Sequence, residues 1–136
     1  MRMSFRNLNA EDLRTDRWAE VLVHVEAEFH VVDAGCVVYS EPYFPVVDLA
    51  HALALWSRSG ADDRENFEFE SMSFDERGAV RIERLDDRWR VGSAFEPDKW
   101  SGLHTLREVD DCVSLFIEEL HSAGLRQLNM RLEHYI

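Results

Sequence analysis

Residues 66–95 constrain the fold more than any other part of the chain, because two turn signals divide them into three short segments. Glycine ends the sequence Glu76-Arg77-Gly78, as expected for a three-residue hairpin loop whose last residue is left-handed. A second, two-residue turn is indicated at Asp86-Asp87. The stretch therefore predicts a meander of three antiparallel strands.

The two turns also predict which residues lie opposite each other in the meander. The expected pairs are Met72–Ile82 and Glu70–Arg84 across the first turn, and Leu85–Arg88, Glu83–Arg90 and Ile82–Val91 across the second. Because side chains alternate between the two faces of a strand, this register gives one apolar face and one polar face. The apolar face comprises Met72, Phe74, Val80, Ile82, Trp89, Val91 and Phe95. The polar face comprises Ser71, Ser73, Arg81, Glu83, Arg88, Arg90 and Gly92.

Two phenylalanines do not fit this separation, because the register places them on the polar face. Exposed aromatic rings surrounded by charges are typical of binding surfaces. The candidate binding residues are therefore Phe67, Phe69, Arg81, Arg88 and Arg90. Two structural alternatives stay open for the rings: a bulge turns one inward, or the N-terminal segment covers both. For the arginines, the alternative is a self-neutralised ladder with Glu83 that needs no ligand.

The first part of the chain predicts a hairpin. Apolar and polar residues alternate from Trp18 to Val32, and Asp33-Ala34-Gly35 then indicates a tight turn. The returning strand runs from Cys36 to Glu41, with Val37 and Tyr39 on its apolar face. Residues 1–16 are expected to be irregular apart from one short helical turn.

Two amphipathic helices are expected, one on each side of the meander. Apolar residues at helical spacing predict the first from Val46 to Arg58, and the second from Asp110 or Asp111 to Gly124. The tail, residues 125–136, fits a strand or a helix, and we expect a strand. Strands in two groups with helices between and after them are typical of an α+β domain. We therefore predict a mainly antiparallel sheet, built from the hairpin and the meander, with both helices packed on one face.

Composition limits the function classes. The chain has 136 residues, of which 46% are hydrophobic, so residues 1–136 suffice for a single domain with a core. Its net charge of −12 opposes binding to nucleic-acid phosphates and favours a basic protein partner. No apolar run is long enough to span a membrane, so no membrane association is expected. Cys36 and Cys112 lack metal-site spacing and are expected to be buried free thiols of a cytoplasmic protein.

The most chemically suggestive pattern is formed by His24, Glu26, Glu28 and His30, on one face of the predicted first strand. These are metal-ligand side chains. Residues two apart on a strand lie about 7 Å apart, so the four cannot all reach one ion whose ligands lie about 2 Å away. A solvated sheet face is the expected role, and a metal-binding or catalytic face is the alternative. The sequence predicts no cofactor.

Two further candidates are weaker. The acidic loop Asp62-Asp63-Arg64-Glu65 lacks the ligand spacing and central glycine of a calcium loop. Cys112 lies near the predicted start of a helix, where a thiol pKa can fall, but no nucleophile signature surrounds it. We expect a polar loop and a structural cysteine.

Three stretches carry a resemblance to a known family: YSEPYFPVVDLAHALALW (Tyr39 to Trp56), FEFESMSFDERG (Phe67 to Gly78) and RWRVGSAFEP (Arg88 to Pro97). Together they resemble a family of small, acidic actinobacterial proteins known as a domain of unknown function. The resemblance implies no catalytic residues. The general plan, an acidic α+β domain with a tryptophan in its meander, is similar to that of immunity proteins of bacterial toxin systems. Likeness of architecture does not by itself establish function.

Two functions are compatible with these observations. The first is a non-enzymatic protein-interaction module, immunity-like, that binds a basic protein or forms a homodimer. The alternative is a small ligand-binding or metal-binding domain, or an enzyme, that uses the His24/Glu26/Glu28/His30 face. We expect the first.

Overall fold

The structure, a computed structural model that describes residues 1–136, is an α+β fold with two antiparallel sheets and three α-helices. The seven strands are β1 (Arg2–Asn9), β2 (Glu26–Asp33), β3 (Cys36–Phe44), β4 (Phe67–Glu68), β5 (Arg81–Leu85), β6 (Arg88–Ser93) and β7 (Glu96–Trp100). The helices are α1 (Trp18–His24), α2 (Val46–Trp56) and α3 (Leu106–Leu128), followed by a 3-10 turn at Leu132–His134. The N-terminal sheet has the order β1-β2-β3, and the C-terminal sheet has the order β4-β5-β6-β7. Two sheets and three helices thus replace the single sheet and two helices that were expected.

The predicted N-terminal hairpin is confirmed, with Asp33 opposite Cys36. Ala34 and Gly35 between them both have positive φ, 50° and 77°, which gives a two-residue turn that matches the twist of the strands. The returning strand contains an irregularity between its pairs with Val31 and Val32, so the alternation of its side chains changes there. Tyr39 is buried as expected, whereas Val37 is exposed.

The prediction of one long strand from Trp18 to Val32 is wrong, because residues 18–24 form α1 and the strand begins at Glu26. Trp18, Val21, Leu22 and Val25 have the spacing of one helix face, and the last three are buried. The alternation of Val21, Val23 and Val25 concealed this helical spacing in the sequence.

The expectation of an irregular N-terminus is also wrong, since β1 pairs antiparallel with β2 from Arg2–Val32 to Asn9–Glu26. Between Arg6 and Asn9 the register shifts, and Asn7 has a positive φ of 58°. Because of this bulge, the core-facing side chain is odd-numbered before it, at Met3, and even-numbered after it, at Leu8. Strict alternation is therefore absent from the sequence of the strand.

The C-terminal sheet confirms one predicted hairpin and contradicts the other. Across Asp86-Asp87, the pairs Leu85–Arg88, Glu83–Arg90 and Ile82–Val91 form as predicted. Across Gly78, Ile82 lies opposite Phe67 and not opposite Met72. This shift of five residues is odd, so it reverses which side chains of residues 67–72 face the core.

Residues 69–80 form an irregular connection that is closed by backbone hydrogen bonds. Phe69 N–H donates to the carbonyl of Val80, and Gly78 N–H donates to the carbonyl of Phe69, both at 2.8 Å. Phe67 and Phe69 are 7% and 1% exposed, whereas Met72 is 92% exposed. The predicted position of the two phenylalanines on the polar face is therefore wrong, and so is the predicted position of Met72 in the core.

The two predicted helices, α2 and α3, differ from prediction mainly at their ends. Pro45 precedes α2 as expected. The last helix begins after Thr105, whose side chain forms a capping box with Glu108, and it continues through Gly124 to Leu128. A Cβ on Gly124 would lie 2.5 Å from Leu132 Cδ1, so this glycine permits the 3-10 turn to approach the helix. The expected start at Asp110 or Asp111, the stop at Gly124 and the tail strand are therefore wrong.

The core connects both sheets with the helices. Thirty buried apolar residues form one cluster. Within it, Phe44 stacks on Phe29 at 4.7 Å between ring centroids and lies 5.6 Å from Phe69, while Phe29 meets Phe116 of α3 edge to face. Phe69 is thus part of the aromatic contact between the two halves of the fold. None of the helices combines the length and the apolar character needed to cross a bilayer.

Candidate interaction surfaces

The predicted four-residue metal face is not formed. His24 ends α1 and pairs with Glu20 at 3.5 Å, while Glu26, Glu28 and His30 lie on β2. Glu28 binds Arg6 of the neighbouring strand, and this hydrogen bond lowers the pKa of Glu28. No group of three or more His, Cys, Asp or Glu side chains in the chain is arranged to hold a metal ion. The placement of all four residues on one strand face is therefore wrong.

The predicted arginines do meet on the outer face of the C-terminal sheet, around a tryptophan. The Cζ atoms of Arg81 and Arg90 lie 4.2 Å and 3.7 Å from the ring centroid of Trp100. Arg90 also donates to Glu83 at 3.2 Å. Arg88 is exposed at the end of the hairpin. The predicted polar ladder therefore exists, and an indole and a carboxylate of the same chain already contact its two inner arginines.

The two predicted phenylalanines contribute to the core and not to this surface. Phe67 meets Trp56 edge to face at 5.9 Å, and Phe69 contacts Phe44. Neither the N-terminal segment nor a bulge is needed to bury them, because the observed register directs Phe67 to the side of Ile82. The two phenylalanines therefore do not form an exposed contact surface.

A different surface exposes large apolar side chains beside carboxylates. Trp18 is 50% exposed and Met72 is 92% exposed, and both line a groove of about 170 Å³. We call it the contact groove. Its lining residues are Trp18, Ala19, Leu22, Val23, Asp48, Glu70, Ser71 and Met72.

Local structure explains why the two apolar side chains stand at this surface. The Trp18 ring is held edge to face against His51 of α2, with 5.1 Å between centroids. Met72 lies in a turn in which Ser73 N–H donates to the Ser71 hydroxyl at 3.1 Å and Phe74 N–H donates to the Ser71 carbonyl at 3.3 Å. The turn directs Phe74 toward Phe44 and leaves Met72 in solvent. The exposure of Met72 is thus a consequence of the backbone path.

Asp48 gives the groove its electrostatic character. It lies in the first turn of α2 and is half-buried. Burial raises the pKa of Asp48, while a hydrogen bond from Ser71 and the nearby His51 act in the opposite direction. None of the ion pairs of the structure includes Asp48, although Glu70 pairs with Arg77 at 3.3 Å. The groove therefore combines an exposed indole and thioether with a poorly solvated carboxylate that has no arginine or lysine partner.

Residues 1–125 match the family model described as Domain of unknown function (DUF7878). The chain belongs to this family. No curated protein and no solved structure gave a match. The expected membership of an uncharacterised family is confirmed, and the DUF7878 assignment does not bring any site residues with it.

The DUF7878 chain has a second polar cluster, at the start of α3. The imidazole of His104 lies between two carboxylates, with Nε2 at 3.1 Å from Asp33 and Nδ1 at 3.2 Å from Glu108. Asp33 also accepts from Gly102 N–H at 2.7 Å and pairs with the N-terminal ammonium of Met1 at 3.3 Å. The cluster thus joins the hairpin turn of the N-terminal sheet to the segment before α3, which is a structural role.

Cys112 lies beside this cluster, on a cavity of about 270 Å³ that Met1 and His104 also line. Burial raises the pKa of the Cys112 thiol, and Cys112 lies inside α3, which begins at Leu106, and not at the helix N-terminus where a thiol pKa can fall. Cys36 and Cys112 are both free thiols, as expected, but Cys36 is exposed and not buried.

Sequence reasoning missed Trp18, Asp48 and Met72 as surface residues. Trp18 was assigned to the start of a strand, and Met72 to the core of the meander. Asp48 carried one signal in the sequence, since it is an acidic residue between the apolar residues Val47 and Leu49 near the start of the predicted helix.

Proposed function

We propose that this protein is a non-enzymatic interaction module that binds a basic protein partner through the contact groove. The observation that carries the proposal is the groove itself, in which exposed Trp18 and Met72 lie beside the unpaired carboxylate of Asp48. Tryptophan and methionine are enriched in the buried centres of protein interfaces, where charged residues at the rim determine which partner is accepted.

The overall negative charge of the chain supports a positively charged partner. A net charge of −12 attracts a basic surface over long range and accelerates its association. Two carboxylates line the groove, those of Asp48 and Glu70. A partner with a basic surface and an apolar centre fits both features.

The finer form of the proposal is an immunity-like role, in which this acidic protein binds and neutralises a basic toxin in the cytoplasm of a bacterium. Its support is the acidic charge and the α+β plan, and fold-level likeness remains an analogy. Two free cysteines fit a reducing compartment.

Affinity capture from the native host tests the proposal, with the wild-type chain compared with a Trp18→Ser/Met72→Ser variant. A matched control, Leu115→Ser/Leu125→Ser, removes two exposed apolar side chains from α3. We expect the wild type and the control to retain one stoichiometric basic protein that the groove variant loses. Equal capture by all three proteins, or recovery of a homodimer alone, would contradict the proposal. Circular dichroism confirms that each variant is folded.

A further inference from the structure

The structure contains a filled example of an arginine site built from an indole and a carboxylate. Arg64 stacks on the Trp56 ring, with its Cζ atom 4.4 Å from the ring centroid. The same guanidinium donates to both carboxylate oxygens of Asp110, at 2.8 Å and 3.3 Å. Arg64 is almost fully buried and also donates to the backbone carbonyls of Ser57 and Ser59, so the indole and the carboxylate hold this desolvated guanidinium together with two backbone acceptors.

The contact groove provides the same two groups from a different pair of helices. Trp18 of α1 supplies a half-exposed indole, and Asp48 of α2 supplies a half-buried carboxylate in the same groove. No arginine or lysine of the chain pairs with Asp48. Glu70 also lines the groove, but its carboxylate pairs with Arg77 at 3.3 Å, so Asp48 is the lining carboxylate without a cationic partner.

We infer that the contact groove receives an arginine side chain of the partner protein, which stacks on Trp18 and pairs with Asp48. The inference rests on the proposed function, because it specifies the group through which the partner is recognised. The aliphatic part of the arginine lies against Leu22 and Met72, which provide the apolar lining.

Three physical arguments favour arginine over other side chains. A groove of about 170 Å³ is small, so it suits one side chain and not a helix or a strand. A planar guanidinium can stack on an indole and donate two hydrogen bonds to one carboxylate, whereas an ammonium group cannot do so in the same way. A poorly solvated carboxylate also attracts a cation more strongly than an exposed carboxylate does, because water screens the charge less.

A small probe can test the inference without the partner. We would titrate ¹⁵N-labelled protein with N-acetyl-arginine amide and follow its backbone amide resonances. N-acetyl-citrulline amide is the matched probe, because it has nearly the same shape and no charge. We expect saturable shifts confined to residues 18–23, 48–51 and 70–72, with affinity for the arginine probe about tenfold higher than for citrulline, as one charge-assisted pair would give.

Two variants separate a specific pair from general attraction to an acidic protein. Asp48→Asn and Asp63→Asn each remove one negative charge, but Asp63 lies in an exposed loop outside the groove. We expect Asp48→Asn to reduce affinity for the arginine probe about tenfold and Asp63→Asn to leave it within about twofold. Shifts spread over the whole surface, equal effects of the two variants, or equal binding of arginine and citrulline would overturn the inference. The proposed function would still stand if the Trp18→Ser/Met72→Ser variant lost the captured partner, so the two failures are distinguishable.

Discussion

Gly92 lies directly opposite Trp100 on neighbouring strands of the C-terminal sheet, and the indole occupies the space beside its Cα. A Cβ on Gly92 would lie 2.9 Å from Trp100 Cε3 and 2.9 Å from the carbonyl oxygen of Lys99. The absence of a side chain at Gly92 therefore lets Trp100 lie flat on the sheet, where Arg81 and Arg90 stack against it.

Gly92→Ala should consequently destabilise the protein by about 1–3 kcal/mol, the usual cost of an added methyl group in a closely packed site. The backbone carbonyl of Lys99 cannot move away without disturbing the strand pairing. Gly60→Ala is the control, because nothing lies within 4 Å of its added Cβ. Chemical denaturation of both variants measures the difference. Equal stabilities would show that Trp100 is free to move.

The strand register across Gly78 can be tested by substituting two residues, one that the observed register buries and one that it exposes. Phe69 is fully buried and Met72 is exposed. Phe69→Ala should lower the free energy of unfolding by about 3–5 kcal/mol, whereas Met72→Ala should change it by less than about 0.5 kcal/mol. Urea denaturation gives both values. The reverse ranking would support the register expected from the Gly78 turn and contradict the observed one.

The raised pKa of Asp48 predicts a specific dependence of stability on pH. The unfolded carboxyl ionises near its ordinary pKa of about 3.9, while the folded carboxyl ionises at a higher pH because of burial. As the pH rises through this interval, the unfolded state loses its proton first, so the contribution of Asp48 to stability falls.

Asp48→Asn removes this ionisation, so the variant should gain melting temperature relative to wild type as the pH increases from 3.5 to 8. The comparison is made on the difference between the two proteins, which cancels most other titrations. His51, on the same helix, and Glu70, across the groove, are the titratable groups near Asp48. A difference that stays constant with pH would contradict the raised pKa.

The sequence predicted those elements whose signals are local. The Asp33-Gly35 and Asp86-Asp87 turns each fix their strands, because left-handed residues at the turn leave few alternatives. The helix after Pro45 was predicted from the helical spacing of its apolar residues, which is also a local signal. The turn at Asp86-Asp87 is by itself enough to predict that Arg81, Arg88 and Arg90 lie on the same face of the sheet.

The remaining elements depend on contacts that a linear pattern does not contain. Phe67 pairs with Ile82 because residues 69–80 form an irregular connection instead of continuing the two strands. No turn signal in the sequence indicates this connection. Leu8 faces the core only after the bulge at Asn7. The contact groove requires α1, α2 and the Ser71 turn to come together, so its residues show no common spacing in the sequence.

The affinity of the purified partner for wild-type and Trp18→Ala protein, measured by isothermal titration calorimetry, tests the central claim most directly. Trp18 is the largest exposed side chain of the contact groove, and tryptophans at interface centres usually cost about 2 kcal/mol or more when truncated. We therefore predict that Trp18→Ala weakens binding about 30-fold or more, while Leu125→Ala, which removes an exposed side chain of α3, changes it by less than about twofold. A Trp18→Ala affinity within twofold of the wild-type value would contradict the assignment of the groove as the binding surface.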